Sequence, residues 1–262
     1  MSARVCLIAA VVAALAGGHV SAVTNLGTGT AALLDNDLTD PEQNGNDSGP
    51  EDADGNGLFN ATFFANSEPT FSNSTGGGPS EAAFDVFDNK LGGGEAKWCC
   101  STPTASGLFV GADFRGKLLG TGDYIRLTHF TIGSDNDVGI SRDPDVWFIE
   151  GSNDGSNWDI IFSYIKDGNS PFDDFGGSAD QRVLRYDVGT DFAPPGLYQL
   201  LRFRVTNAIG GTAGSPGGPG INGAFALGEI EFFGNIVHIP EPATLSLLAL
   251  AGMGMLRRRR PA

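Results

Sequence analysis

Arg142-Asp143-Pro144-Asp145-Val146-Trp147-Phe148-Ile149-Glu150-Gly151-Ser152-Asn153-Asp154-Gly155-Ser156-Asn157-Trp158 is the stretch of this 262-residue chain on which the fold turns. Val146 to Glu150 is a short apolar run of strand length. Asn, Asp and Gly tolerate positive φ, so Asn153-Asp154-Gly155 reads as a tight turn joining the Trp147 strand to a Trp158 strand. Each tryptophan then lies inside or beside an apolar strand, where an indole can bury about 150 to 250 Å², and reads as core before sugar platform. Arg142, ahead of Asp143-Pro144, reads as a hydrogen-bonding clamp on a turn.

The same pattern extends outward. Tyr124 to Ile132 (YIRLTHFTI) alternates, which puts Tyr124, Arg126, Thr128 and Phe130 on one face and Ile125, Leu127, His129 and Thr131 on the other. Ile160 to Ile165, Val183 to Val188, Tyr198 to Thr206 and Ala224 to Phe233 are similar runs, divided by Gly, Asn, Asp and Pro. No segment between them keeps a helical period beyond two turns. Short, evenly spaced strands predict an all-β, antiparallel jelly-roll sandwich over residues 80–235.

These residues carry a resemblance. The RDP…W…GSNDG…W pattern of Arg142 to Trp158 is similar to the signature of galactose-binding-like domains, the discoidin or coagulation-factor C type superfamily. Ala83-Phe84-Asp85-Val86-Phe87-Asp88-Asn89, with Lys97-Trp98 after a glycine loop, resembles that family's opening. Leu201 to Val205 and Leu227 to Gly234 resemble its closing strands. The resemblance covers about residues 80 to 234 and implies a structural calcium where the opening loop meets the last strand. Asp88, Asn89 and Glu229 occupy the matching positions, with Asp85 and Glu231 as secondary candidates; loop and strand oxygens suit a hard cation. Asn89 departs from the family's usual Gly. A solvated acidic patch is the alternative. Asp135-Asn136-Asp137 reads equally as a cation loop or an Asx-rich turn.

Residues 23–79 have a different character. Eight acids and no basic residue fall between Asp35 and Gly57, a composition that reads as solvated and partly disordered. Asp52 to Gly57 matches the first half of a calcium loop, but its twelfth position is Phe63 rather than Glu, which favours a flexible acidic linker. Leu58 to Phe64 reads as a strand entering the fold. Cys99 and Cys100 are adjacent, so a vicinal disulfide, two buried thiols and intermolecular pairing all stay open.

Both ends read as targeting segments. Arg4, the apolar run from Val5 to Ala16 and Val20-Ser21-Ala22 make residues 1–22 a signal peptide for signal peptidase. Residues 239–262 contain Pro240-Glu241-Pro242, 14 uncharged residues from Ala243 to Leu256, and Arg257-Arg258-Arg259-Arg260. At about 1.5 Å per residue the apolar run is shorter than a hydrocarbon core of roughly 30 Å. The four arginines should stay cytoplasmic. The combination closely resembles the PEP-CTERM sorting signal of bacterial surface proteins. It implies an exosortase partner, cleavage near Pro-Glu-Pro, and delivery to the cell surface or extracellular matrix, with the C-terminal helix as a transient or stable membrane anchor; an ordinary anchor is the plainer reading.

Without these ends the charge falls from −15 to about −19, because five arginines are lost against one glutamate. A phosphate backbone is then a poor partner, which excludes nucleic acid. His129 sits mid-strand, and no G-x-S-x-G, H-E-x-x-H or P-loop pattern occurs, so the chain reads as non-enzymatic. The expected function is an exported surface or matrix protein whose carbohydrate-binding-like module holds extracellular polysaccharide. The alternative is a structural matrix or adhesion protein without sugar specificity, and an enzyme with an unrecognised site stands behind both. An exposed aromatic among Phe109, Phe114, Phe172 and Phe175 would favour sugar binding.

Overall fold

The Asn153-Asp154-Gly155 turn joins two strands as expected, β6 (Pro144–Ser152) and β7 (Asp159–Ile165), which pair antiparallel. Asp154 Oδ1 accepts the backbone N–H of Ser156 and of Asn157, each at 2.7 Å, and Gly155 adopts φ 75°, where a side chain would be strained. The connection runs over 153–158, longer than a two-residue hairpin.

The computed structural model describes residues 23–34, 37–39, 59–68, 81–92, 97–136, 142–166, 168–173, 181–209 and 224–240. The readings on residues 1–22, on Asp52 to Gly57, on Asp137, on Phe175 and on Glu241 to Ala262 lie outside them. Among the described residues the remaining strands are β1 (Thr24–Thr28), β2 (Thr62–Ala65), β3 (Trp98–Cys99), β4 (Leu108–Asp113), β5 (Asp123–Gly133), β8 (Arg182–Asp187), β9 (Leu200–Ala208), β10 (Ala226–Leu227) and β11 (Glu229–His238). Two 3₁₀ turns, Thr30–Ala32 and Ala83–Phe87, lie wholly among the described residues, and no helix there is long and apolar enough to cross a membrane.

Two antiparallel sheets result, ordered β1-β8-β5-β11 and β2-β4-β9-β6-β7, with β10 and β3 as a small pair beside them. The chain alternates between the sheets from β4 to β5, β5 to β6, β7 to β8 and β8 to β9. This gives the all-β antiparallel sandwich expected. Its core is aromatic where the sheets face each other. Trp147, fully buried, packs 5.4 Å from Phe203 in its own sheet and 5.7 Å from Tyr186 in the other. Phe130 stacks on Tyr186 at 4.9 Å. Trp98 is also core, edge-on to Phe225 at 4.9 Å.

Three expectations are corrected. Phe130 does not lie opposite Ile125 and Leu127: all three are buried, and Arg126 is exposed. The cause is a bulge in β5. Leu127 faces Gly234 and His129 faces Phe233, so Thr128 is an extra residue and the alternation flips there. Second, the sheets recruit strands upstream of residue 80. β2, which pairs with β4, overlaps the entering strand expected at Leu58 to Phe64, whereas β1, which pairs with β8, has only Leu26 as an apolar signal and is not among the expected strands. Third, within the acidic stretch Asp37 and Thr39 are buried, and Leu38 donates its N–H to Phe232 O at 2.7 Å. That backbone bond, and Asp37 accepting from the Thr39 N–H at 2.6 Å, meet polar needs that composition alone assigns to water.

Candidate functional site

The acidic residues singled out in the sequence converge. The 3₁₀ turn Ala83–Phe87 is closed at its start by Asp85, whose Oδ2 accepts the Ala82 N–H at 2.9 Å, and it delivers Asp88 at its C-terminal end. Asn89 then turns the chain at φ 55°, the left-handed region that Asn visits more readily than most residues, so the departure from glycine is accommodated. Lys90 donates its N–H to Glu229 Oε2 at 3.1 Å, which ties this loop to the start of β11. Gly228 permits that approach: a Cβ there would sit 2.4 Å from Leu91 Cδ2.

Asp85, Asp88, Asn89, Glu229 and Glu231 are all buried, Glu229 and Glu231 completely. Burial, followed by the charge of Asp85, pushes the Asp88 carboxyl well above the usual carboxylate range. Burial, then Asp88 and Glu231, do the same to Glu229. Glu229 and Glu231 still have protein donors: Glu229 Oε1 accepts from Ile230 N at 3.0 Å, and Glu231 accepts from Leu34 N at 2.9 Å and from the Thr131 hydroxyl. Asp88 Oδ1 differs, being buried with no hydrogen-bond partner. An orphaned carboxylate oxygen facing a second buried carboxylate is the environment a hard divalent cation resolves, because it supplies the missing positive charge and takes oxygen ligands. The residues fit calcium.

Asp135 is held through its backbone and Asn136 through its side chain. Asp135 O accepts from Gln181 N at 2.8 Å, and Asn136 Oδ1 accepts from Lys97 Nζ at 2.7 Å. Cys99 and Cys100 form a vicinal disulfide. Cys100 takes φ 78°, its N–H bonds Phe225 O at 2.9 Å, and Cys99 N bonds Glu81 O at 3.0 Å, so backbone pairing holds the turn that brings the sulfurs together. Arg142 Nη1 lies 3.5 Å from Cys99 Sγ, which places this arginine at the disulfide.

The aromatics that would decide sugar binding fall elsewhere than expected. Phe114 and Phe172 are core, and Phe109 is half-buried on the outer face of the five-stranded sheet. Trp158, read as core, lies on that same outer face. Its ring is 5.8 Å from Phe64, with the Arg202 guanidinium over it at 3.9 Å and 4.9 Å from Phe109. Arg204 covers Phe148 at 4.3 Å. Glu150, nearly buried, binds both cations at 2.6 Å, and these partners hold its carboxyl below its ordinary range against the effect of burial. Gly111 opposite Phe64 leaves the ring room, since a Cβ there would lie 2.4 Å from Phe64 Cζ. Sequence reasoning missed this layer. Its signal was available in the alternate positions of Leu200–Ala208, where Arg202 and Arg204 interrupt the apolar run. His129 stacks on Phe233 at 4.4 Å, and burial, then Arg185, lower its pKa.

Comparison with known proteins places the C-terminus first. Residues 238–260 match the PEP-CTERM protein-sorting motif, which marks the chain for export, exosortase processing and surface sorting. No curated protein matches the chain. Among solved structures it is similar to CpGH89CBM32-5 of Clostridium perfringens, which was solved with GalNAc-β-1,3-galactose: identity is 14%, the TM-score 0.40, and coverage 66% of this chain and 95% of that one. For CBM62 of Clostridium thermocellum Xyl5A the values are 20%, 0.40, 67% and 95%. For CBM32-3 of a Clostridium perfringens family 31 glycoside hydrolase they are 16%, 0.41, 67% and 90%. At such identities and TM-scores these likenesses bring no ligand with them.

Proposed function

We propose that this chain is a non-catalytic surface or matrix protein whose β-sandwich holds extracellular polysaccharide and is stiffened by calcium at Asp88, Asn89 and Glu229. The observation that carries the binding role is the outer layer of Phe64, Phe109, Phe148 and Trp158 interleaved with Arg202, Arg204 and Glu150. Half-buried rings offer apolar area to the C–H faces of a sugar, and planar charged groups beside them offer paired donors and acceptors to its hydroxyls. The sandwich keeps this layer on a strand surface, where it is already ordered before binding. Calcium would join the opening loop to the last strand, so that both ends of the fold are closed together. Before processing, the C-terminal helix would hold the chain in the membrane.

A structural matrix role without sugar specificity is the second reading, favoured by the Arg202 guanidinium that already covers Trp158 at 3.9 Å. A glycan array read with calcium and again after chelation separates the two. Saturable binding that falls in a Trp158→Ala variant supports the binding module; no binding, with the melting temperature still lowered by chelation, supports the structural role.

A further inference from the structure

We propose that β7 is a docking edge for a second copy of this chain, paired antiparallel across a two-fold axis at Ser163. Among the described residues β7 is the last strand of the five-stranded sheet, with β6 on its one paired side. Its sequence, DIIFSYI, has no charge and no proline between Asp159 and Lys166. Sheet edges in monomers are ordinarily blunted by such residues or by bulges, and β7 has a bulge at Ile161, toward one end, but neither charge nor proline from Ile160 to Ile165. Ile160 and Ile165 are the two most exposed large apolar side chains among the described residues, at 58% and 64%.

The register on β6 decides what a second copy meets. Phe162 faces Ile149 and Ile160 faces Glu150, so Ile161 is an extra, bulged residue. The bulge puts Ile160 on the same face as Ser163 and Ile165, the outer face that carries Glu150 and Phe148. With Ser163 facing its own copy, Tyr164 falls opposite Phe162 and Ile165 opposite the bulged Ile160 and Ile161. Lys166 then falls opposite Asp159. Every pair in this register matches faces, and the two ends match charge. A two-fold axis perpendicular to the sheet keeps the outer face common, so two isoleucines from each copy close one apolar patch. A shift by one residue would set core-facing side chains against outward ones. The chain's net charge of −15 opposes association at long range, but charges beyond about 8 Å are screened at physiological salt, which leaves the local pairs to choose the register.

Full-length chain in detergent, at physiological ionic strength, tests this by sedimentation velocity and oxidative crosslinking. Ser163→Cys should give an intermolecular disulfide in good yield, and Ser156→Cys, in the adjoining loop, should not. Asp159→Lys or Lys166→Asp alone should weaken dimerisation at least tenfold, because each sets like charges opposite one another twice. Mixing those two variants should restore it as a heterodimer. Asp159 also accepts from the Tyr198 hydroxyl at 3.3 Å, so the melting temperature of each variant confirms that loss of dimer is not loss of fold. A chain that is monomeric throughout overturns the proposal, as does a dimer indifferent to both charge changes or one that fails to crosslink through Ser163→Cys.

Discussion

The cost of Glu229→Gln should depend on calcium. Glu229 is fully buried, beside Asp88 and Glu231, and burial and repulsion from both raise its pKa. Without a divalent cation, replacing the acid with its neutral isostere relieves that repulsion but keeps only one of two N–H donors, Lys90 N on Oε2 or Ile230 N on Oε1, so the net cost should be small, about 1 kcal/mol. With calcium at a hundred times its Kd, the wild type should gain about 2.7 kcal/mol. For a domain of this size that corresponds to a rise in Tm of roughly 5 to 11 °C. The variant loses a charged ligand and should lose most of that rise. The assay is differential scanning calorimetry of both proteins with calcium and with chelator. Acidification gives an independent check in chelator: Asp88 and Glu229 hold protons in the fold at pH values where the unfolded chain has released them. Their penalty is therefore complete above the folded pKa values, and stability attributable to them rises as pH falls from neutral toward the ordinary carboxylate range. Equal melting of the wild type with and without calcium, or an undiminished calcium increment in Glu229→Gln, refutes the reasoning.

Other consequences follow from packing and charge. Trp147→Ala removes the ring at the centre of the aromatic core and should cost about 3 to 5 kcal/mol, measured by urea unfolding. Glu150→Gln leaves Arg202 and Arg204 without their shared carboxylate and should cost about 1 to 3 kcal/mol at neutral pH. Because that carboxyl titrates below its usual range, its contribution is present above the unfolded pKa and lost as pH falls through the folded one, so wild type and variant should converge in acid unfolding curves. Trp158→Ala, on the outer face, should shift stability by about 1 kcal/mol and abolish retention on a polysaccharide affinity gel.

Local chemistry made part of this protein readable in advance. The Asn153-Asp154-Gly155 turn needs residues that accept positive φ or cap their own backbone, and such requirements are met within a few positions of sequence. Runs such as Ile160 to Ile165 announce strands because a short apolar run bounded by turn residues is a local property. The sorting motif is likewise a linear signal, with proline boundary, apolar run and arginines in order.

What distance in sequence hides, the tertiary structure decided. One bulge at Thr128 reverses the faces of β5, because where a strand slips depends on its partner and not on its own pattern. Trp147 and Trp158 lie eleven positions apart, yet the first fills the core and the second lies outside beneath Arg202: pairing with β9 and β7 fixes the face of Trp147, whereas Trp158 ends the connection ahead of β7 and has no strand pairing to turn it inward. Asp88 and Glu229 were identifiable as candidates from residue type and resemblance. Their burial, their mutual repulsion and the orphaned Asp88 oxygen exist only once the loop after Phe87 reaches β11, because desolvation and charge coupling are properties of position in space.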